Sequence, residues 1–425
     1  MTRLLFDYGK LHAAALDGPV LTPDSLADAQ AQVRAALDAG QTLRVRGSGH
    51  SQSGISLPRS GETLLRTGGL DHYRFDRPGT ITVGAGSILW DIRDFVAPLG
   101  WYLPVYNGGW AGPTVGGYVN AGGMGLRVPP TERARAMAAQ AQQPTADRID
   151  LVSISEVHGG FWEHVAELTV IDSTGTLQRI GEDHPDFPWF FAATGQLGVI
   201  VEAVLKLLPN GPITAPLPAG NLGRIPKINT VPPEETDAGP PPDGMPWMYW
   251  FSYLLDPKDE ALAWDFLGDW ARHHPSLTPS GGFVGPSLNG APIGFRYLVR
   301  HKRFTPPLLY PAHRDFVLMG VMARCEGVGQ DIAETALIAA EQDFVATALQ
   351  EGWRLYAQAE NLTRSVDFAN YYGPDCMAAF RAVKDRYDPE SRFNPGEVFA
   401  EPVKPPPRAA TLRRVARAFA RALQT

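Results

Sequence analysis

Apolar residues recur at helical spacing over residues 26–37, where Leu26, Val33, Ala36 and Leu37 line one side of a helix. Pro23, Asp24 and Ser25 open that helix and Gly40 stops it. Residues 42–46 predict a strand, and residues 81–86 a second strand closed by a glycine turn. Residues 88–99 read as a helix, and residues 165–171 with 176–180 as a hairpin about Ser173, Thr174 and Gly175. The pattern changes at residues 209–246, whose repeated prolines exclude a regular helix or central strand and predict a linker. Beyond it, residues 247–253 form a strand-like aromatic run, 260–273 and 332–349 read as helices, and 295–300 and 317–323 as strands. Residues 353–360 alternate strictly, with Trp353, Leu355, Ala357 and Ala359 on one side and Arg354, Tyr356, Gln358 and Glu360 on the other. The fold class is α+β, with a βα-rich first half running to about Pro209 and a second unit of strands and covering helices after the linker.

Two glycine-rich strings interrupt the first half. Arg46-Gly47-Ser48-Gly49-His50-Ser51 follows the strand at 42–46, and Pro113-Thr114-Val115-Gly116-Gly117-Tyr118-Val119-Asn120-Ala121-Gly122-Gly123 lies about sixty residues on. Consecutive amide groups in such turns form concave nests that hold anionic oxygens, so the pair predicts an extended diphosphate ligand such as a dinucleotide. A Rossmann site is excluded because Gln52 stands where a third glycine belongs and Pro58 closes a loop where a helix should open. No Gly-Lys-Ser/Thr string is present, which argues against a nucleotide triphosphatase.

These strings resemble the flavin-binding domain of the FAD-binding PCMH-type superfamily, that of vanillyl-alcohol oxidase and p-cresol methylhydroxylase. Two further segments agree: residues 190–200, whose Gly198, Val199 and Ile200 are similar to a flavin-contacting strand, and residues 383–396, a closing motif that includes Asn394. The Asn120-Ala121-Gly122 string and His158-Gly159 resemble cytokinin dehydrogenases; Tyr371-Tyr372-Gly373 and the closing motif are similar to berberine-bridge-type oxidases. The resemblance implies a two-part flavin domain at 1–210 and 361–405 with an inserted α+β substrate domain at 211–360, and the residue pattern predicts a basic amphipathic tail helix at 406–425. It implies FAD as cofactor, held by Arg46, Gly47, Ser48, Gly49, His50, Ser51, Pro113, Thr114, Gly116, Gly117, Asn120, Gly122, Gly123, Gly198, Val199, Ile200 and Asn394. In relatives the histidine of the Gly-His-Ser string is bonded to the flavin 8α carbon, so a covalent link through His50 is expected. Doubly linked members carry a cysteine where this chain has Gly112, so a second link is not expected.

Composition narrows the rest. A chain of 425 residues exceeds one ordinary core, and 44% hydrophobic residues fill two. The net charge of −7 gives no basic face for nucleic acid. Cys325 and Cys376 are the only cysteines, which excludes a disulfide framework and a cysteine zinc site; no metal is expected. No apolar run is long enough to span a bilayer and the N-terminus lacks a signal-peptide pattern, so a cytoplasmic location is expected. Residues 127–157 are an insertion relative to the family, read as a lid or a surface loop, with a short helix at 131–140. In the tail, Leu412, Val415, Phe419 and Leu423 form an apolar stripe among arginines, suited to docking on protein or to a membrane surface.

A flavin enzyme must place a donor C–H against the cofactor and remove a proton. Gly109 stands where cytokinin dehydrogenases hold the proton-accepting aspartate and has no group to do so, which argues against that substrate. The polar side of 353–360 offers Tyr356 or Glu360 as base, with Gln358 and Arg354 orienting a substrate; the alternative is a strand with that side in water. Tyr106, Asn107, Trp110, Tyr371 and Tyr372 are further candidates for the cavity wall, and the aromatic run at 247–253 either lines a pocket or packs under helices. The expected function is oxidation of a small organic substrate by hydride transfer to the flavin, with reoxidation by O2. Alternatives are a dehydrogenase using another acceptor, or a structural FAD beside a non-redox cyclisation site.

Overall fold

The chain begins with an antiparallel ribbon of β1 (Leu4–Phe6) and β2 (Ala13–Ala15), followed by β3 (Val20–Leu21). Ser25 then accepts the Asp28 amide at 3.3 Å and caps α1 (Leu26–Asp38), as its sequence predicts. The buried side of α1, Ala29, Val33 and Ala36, packs on Leu43, Leu65 and Phe393. Two further strands, β4 (Leu43–Arg46) and β5 (Thr63–Arg66), complete a parallel three-stranded sheet in the order β3-β5-β4. Arg44 fixes β4 from within the core: it donates to both carboxylate oxygens of Glu62 at 2.9 Å and to the carbonyls of Ile55 and Pro395. The computed structural model describes residues 4–9, 12–107, 111–125, 154–209, 223–229, 247–274, 277–279, 284–288, 291–311, 313–325, 330–358 and 372–396.

Next come β6 (His72–Arg74), β7 (Thr80–Gly84), α2 (Leu89–Val96), β8 (Trp101–Tyr102), α3 (Val115–Ala121) and α4 (Ile154–His158). The hairpin expected at 165–180 is β9 (Val165–Ile171) with β10 (Leu177–Gly181), antiparallel, and β11 (Val199–Lys206) pairs on the other side of β9. After β12 (Leu208–Pro209), β13 (Gly223–Arg224) closes an antiparallel sheet in the order β10-β9-β11-β7-β6-β13. The proline-dense stretch is therefore not linker throughout. Gly223 and Arg224, themselves free of proline, add an edge strand to β6, where one unpaired side is tolerated. The remainder of that stretch, at 210–222 and 230–246, lies outside the described residues, as do the helix expected at 131–140 and the tail at 406–425.

A second antiparallel sheet is built from β14 (Trp247–Leu255), β15 (Leu277–Pro279), β16 (Val284–Leu288), β17 (Ala291–Val299), β18 (Phe316–Cys325) and β19 (Arg354–Leu355). Its order is β16-β17-β18-β14-β19, with β15 also on β18. The expected helices are α5 (Glu260–His273) and α6 (Gln330–Glu351), and α7 (Pro374–Tyr387) follows. Alternation along β14 divides its aromatics between two cores. Phe251 and Tyr253 face the helices, Tyr253 stacking on Phe344 at 3.8 Å, while Trp250 lies on the opposite side against Tyr356. That opposite side joins the core of the first sheet, where Leu254, Phe295, Phe316 and Leu318 pack with Phe161, Trp162 and Phe191. The mixed content of strands and helices makes the molecule α+β. Among the described residues no helix is long and apolar enough to cross a membrane, and no group of histidines, cysteines and carboxylates is placed to hold a metal.

Candidate functional site

The two glycine strings meet. Ser48 Oγ donates to the Gly112 carbonyl at 2.5 Å, and a Cβ added to Gly47 would fall 2.4 Å from Thr114 Oγ1. The closing motif reaches the same place: Asn394 Oδ1 accepts the Val45 amide at 2.8 Å and its Nδ2 donates to the Thr194 carbonyl at 2.7 Å. Asn120 Oδ1 accepts the Gly195 amide at 2.8 Å, and the segment that begins β11 with Val199 and Ile200, just after Gly198, follows directly. Segments separated by up to about 350 residues thus converge at the end of β4.

The strings differ in what they offer a ligand. The first is an open loop beyond β4, and Gly49, at φ 86°, turns it where a side chain would also meet the Arg46 guanidinium. The amides of Gly47, Ser48, Gly49, Ser51, Gln52 and Ser53 donate to no acceptor among the described residues. Among the described residues Ser51 Oγ, Gln52 Oε1 and Ser53 Oγ are buried without a hydrogen-bond partner, and so is the hydroxyl of Ser87, whose carbonyl accepts the Val115 amide. Each orphaned buried polar group costs about 1–3 kcal/mol, so a run of them marks where a polar ligand completes the structure. This cradle suits the oxygens of a pyrophosphate or of an isoalloxazine ring.

The second string is not a nest. It folds as α3, with Thr114 as cap, and its first amides are already engaged: Val115 to Ser87 O, Gly116 to Ala85 O, Gly117 to Thr114 Oγ1 and Tyr118 to Thr114 O. The reason is packing, since Gly116 lets the helix lie directly against the turn after β7, where a Cβ would fall 3.0 Å from that of Ala85. Pro113 and Thr114 lead into the helix, and Gly122 and Gly123 end it. Arg46 and Asn394 are engaged within the protein. Arg46 donates to Phe6 O and Ser56 Oγ beneath Gly49, and Asn394 ties β4 to Thr194, so both hold the loop in shape.

His50 lies in the open loop with its ring 4.5 Å from that of Tyr8, tilted by 32°, and the Tyr8 amide donates to Ser51 O. The N-terminal ribbon thereby covers the histidine. On the far side of α3, Tyr118 donates to Met124 O at 2.6 Å, and burial together with Tyr356, Tyr297 and Tyr106 raises its pKa. Tyr356 sits 5.5 Å from Trp250, ring to ring. Among the described residues Trp250 Nε1 is buried without a partner. These aromatics form a wall where the second sheet meets α3.

Among the described residues the strand expected over 353–360 is only β19; beyond Leu355 the chain turns away after a last contact from the Tyr356 amide to Ser252 O, although β14 itself runs on to Trp247. Burial pushes the Tyr356 phenol far above the ordinary tyrosine range, so it keeps its proton at neutral pH. Gln358 is buried in the turn. Glu360, Gly109, Trp110 and Tyr371 lie outside the described residues. Tyr106 lies under the Arg93 guanidinium at 5.2 Å, Trp90 Nε1 donates to Asn107 O, and Tyr372 is buried beside Arg354. The sequence pattern does not single out Gln52, Ser53 and Ser87 as polar contacts, nor Tyr118 although it stands inside the second string. Tyr297 and Trp250 carry no local signal, since only the meeting of two sheets brings them together.

A family model of an FAD binding domain matches residues 19–147, which span β4, the open loop, the turn after β7 and α3. No curated protein matches the chain.

Proposed function

Residues 19–147 are an FAD-binding domain of the PCMH-type flavoprotein family, and from that premise we propose that the protein is an FAD-dependent oxidoreductase acting on a small organic substrate. The observation that supports this reading is the loop at 47–53, whose open amides and orphaned hydroxyls adjoin α3. Gly47, Ser48, Gly49, Ser51, Gln52 and Ser53 would hold the cofactor, with Ser87 beside them, and the bound flavin supplies a two-electron acceptor. His50 stands within the loop as the point of covalent attachment, kept in place by the Tyr8 ring. The second sheet caps the site, and its Trp250, Tyr297 and Tyr356 shape the substrate side of the cavity. There the protonated Tyr356 phenol and the Trp250 indole present hydrogen-bond donors to a substrate oxygen. O2 is the terminal acceptor.

Acid precipitation of the purified protein tests the reading. A yellow pellet and a flavin adduct on the His50 peptide are expected, and H50A should release its flavin into the supernatant. Protein that is colourless and takes up no FAD when supplied with it overturns the proposal. Anaerobic bleaching by substrate, reversed on admitting air, separates an oxidase from a protein whose FAD is structural.

A further inference from the structure

Arg354, on β19 at the edge of the second sheet, is held in an unusual way. Its guanidinium lies over the rings of Tyr372 at 5.3 Å and Tyr310 at 5.9 Å, and Nη1 donates to the Pro307 carbonyl at 2.9 Å. Among the described residues no carboxylate lies within ion-pair distance. The neighbouring groups able to carry negative charge do not supply it, because burial raises the pKa values of Tyr310, Tyr372 and the Cys376 thiol and keeps them neutral. Arginine stays charged in such surroundings. A partly buried guanidinium faced by rings and a single carbonyl leaves its Nε–Nη2 edge without an acceptor among the described residues. Two parallel N–H groups on that edge match the two oxygens of a carboxylate.

The location is that of the substrate side. Leu309, next to Tyr310, would lie 2.7 Å from a Cβ at Gly122, the end of α3. Tyr356, two residues beyond Arg354, carries the aromatic wall. We propose that Arg354 anchors the carboxylate of the substrate through its Nε–Nη2 edge, so that the substrate is an organic acid. This rests on the flavin-dependent function proposed for the same site and names its substrate class.

The test is calorimetric titration of the yellow protein with phenylacetate against phenylacetamide, and with glycolate against glycolamide. At least one acid should bind about 10–100-fold more tightly than its amide, as a charge-assisted bidentate contact implies. R354Q should abolish the preference while leaving flavin content unchanged, and R354K, which keeps a point charge, should retain part of it. Should R354Q not fold, weakened acid binding with unaltered amide binding in R354K supports the proposal in its place. Equal binding of acid and amide, or binding of neither, overturns the proposal, as does a preference that survives in R354Q. A wild-type protein that takes up no FAD sinks the flavin reading; yellow protein indifferent to the carboxylate sinks this one alone.

Discussion

Gly47 lies outside the left-handed region, so what it provides is space: Thr114 Oγ1 occupies the position a Cβ would take. Thr114 is itself buried and bonded to the Gly117 amide, so it cannot turn aside without losing that contact. G47A should therefore destabilise the protein by about 1–3 kcal/mol and lower its flavin-to-protein ratio, read by denaturant unfolding and absorbance. G68A is the control, since nothing lies within 4 Å of a Cβ there, and its effect should stay within about 0.5 kcal/mol. At this scale the sequence is legible wherever function and local geometry coincide. Gly47, Ser48 and His50 stand together in one loop and are readable as a set. Arg46 is not, because its side chain turns back to Phe6 O, a contact that only the N-terminal ribbon creates.

The helix α3 shows why a glycine-rich string is ambiguous at the scale of elements. Glycine is among the poorest helix formers, so Gly116-Gly117 argues for a turn on propensity. Burial wins instead: Val115, Tyr118 and Val119 enter the core, and Gly116 allows an amide contact to Ala85 O at a distance a side chain would crowd. A helix of seven residues with two glycines depends heavily on its cap. T114A should cost about 1 kcal/mol in chemical unfolding and T114S should restore most of it. Because Thr114 also faces Gly47, G47A combined with T114A should be less harmful than the sum of the two. By contrast α5 occupies the bounds its periodicity predicts, with Leu267 and Trp270 turned to the second sheet. The alternation at 353–360 misleads because a period of two does not reveal where a chain leaves its partner: β14 runs on to Trp247, yet among the described residues it pairs with only Arg354 and Leu355.

For the molecule as a whole, the seam between the two sheets runs through residues 161–164 and 300–305. Glu163 accepts the amides of Lys302 and Arg303 at 3.0 Å, and Trp162 Nε1 donates to Phe304 O. His164 lies in this seam, its Nε2 donating to the His158 carbonyl at 3.0 Å. Burial lowers its pKa to about 4, with His158, Lys206 and Arg303 adding to the effect against the hydrogen bond to His158. The unfolded chain binds a proton at His164 below about pH 6.5, and the folded chain does so only below about 4. Stability linked to this residue is therefore fully present above pH 6.5 and declines as pH falls from there to about 4, by about 3 kcal/mol in all. H164Q, which keeps a donor for the His158 carbonyl and cannot gain a proton, should flatten the unfolding free energy between pH 6.5 and 4.5. The remaining acid loss then belongs to carboxylates such as Glu202, where burial acts upward but His72 and Arg74 bring the net pKa down, so its contribution fades only as pH falls through that lowered value. An unchanged slope in H164Q would show that the seam tolerates a charged imidazole, and acid sensitivity would then rest with the carboxylates alone.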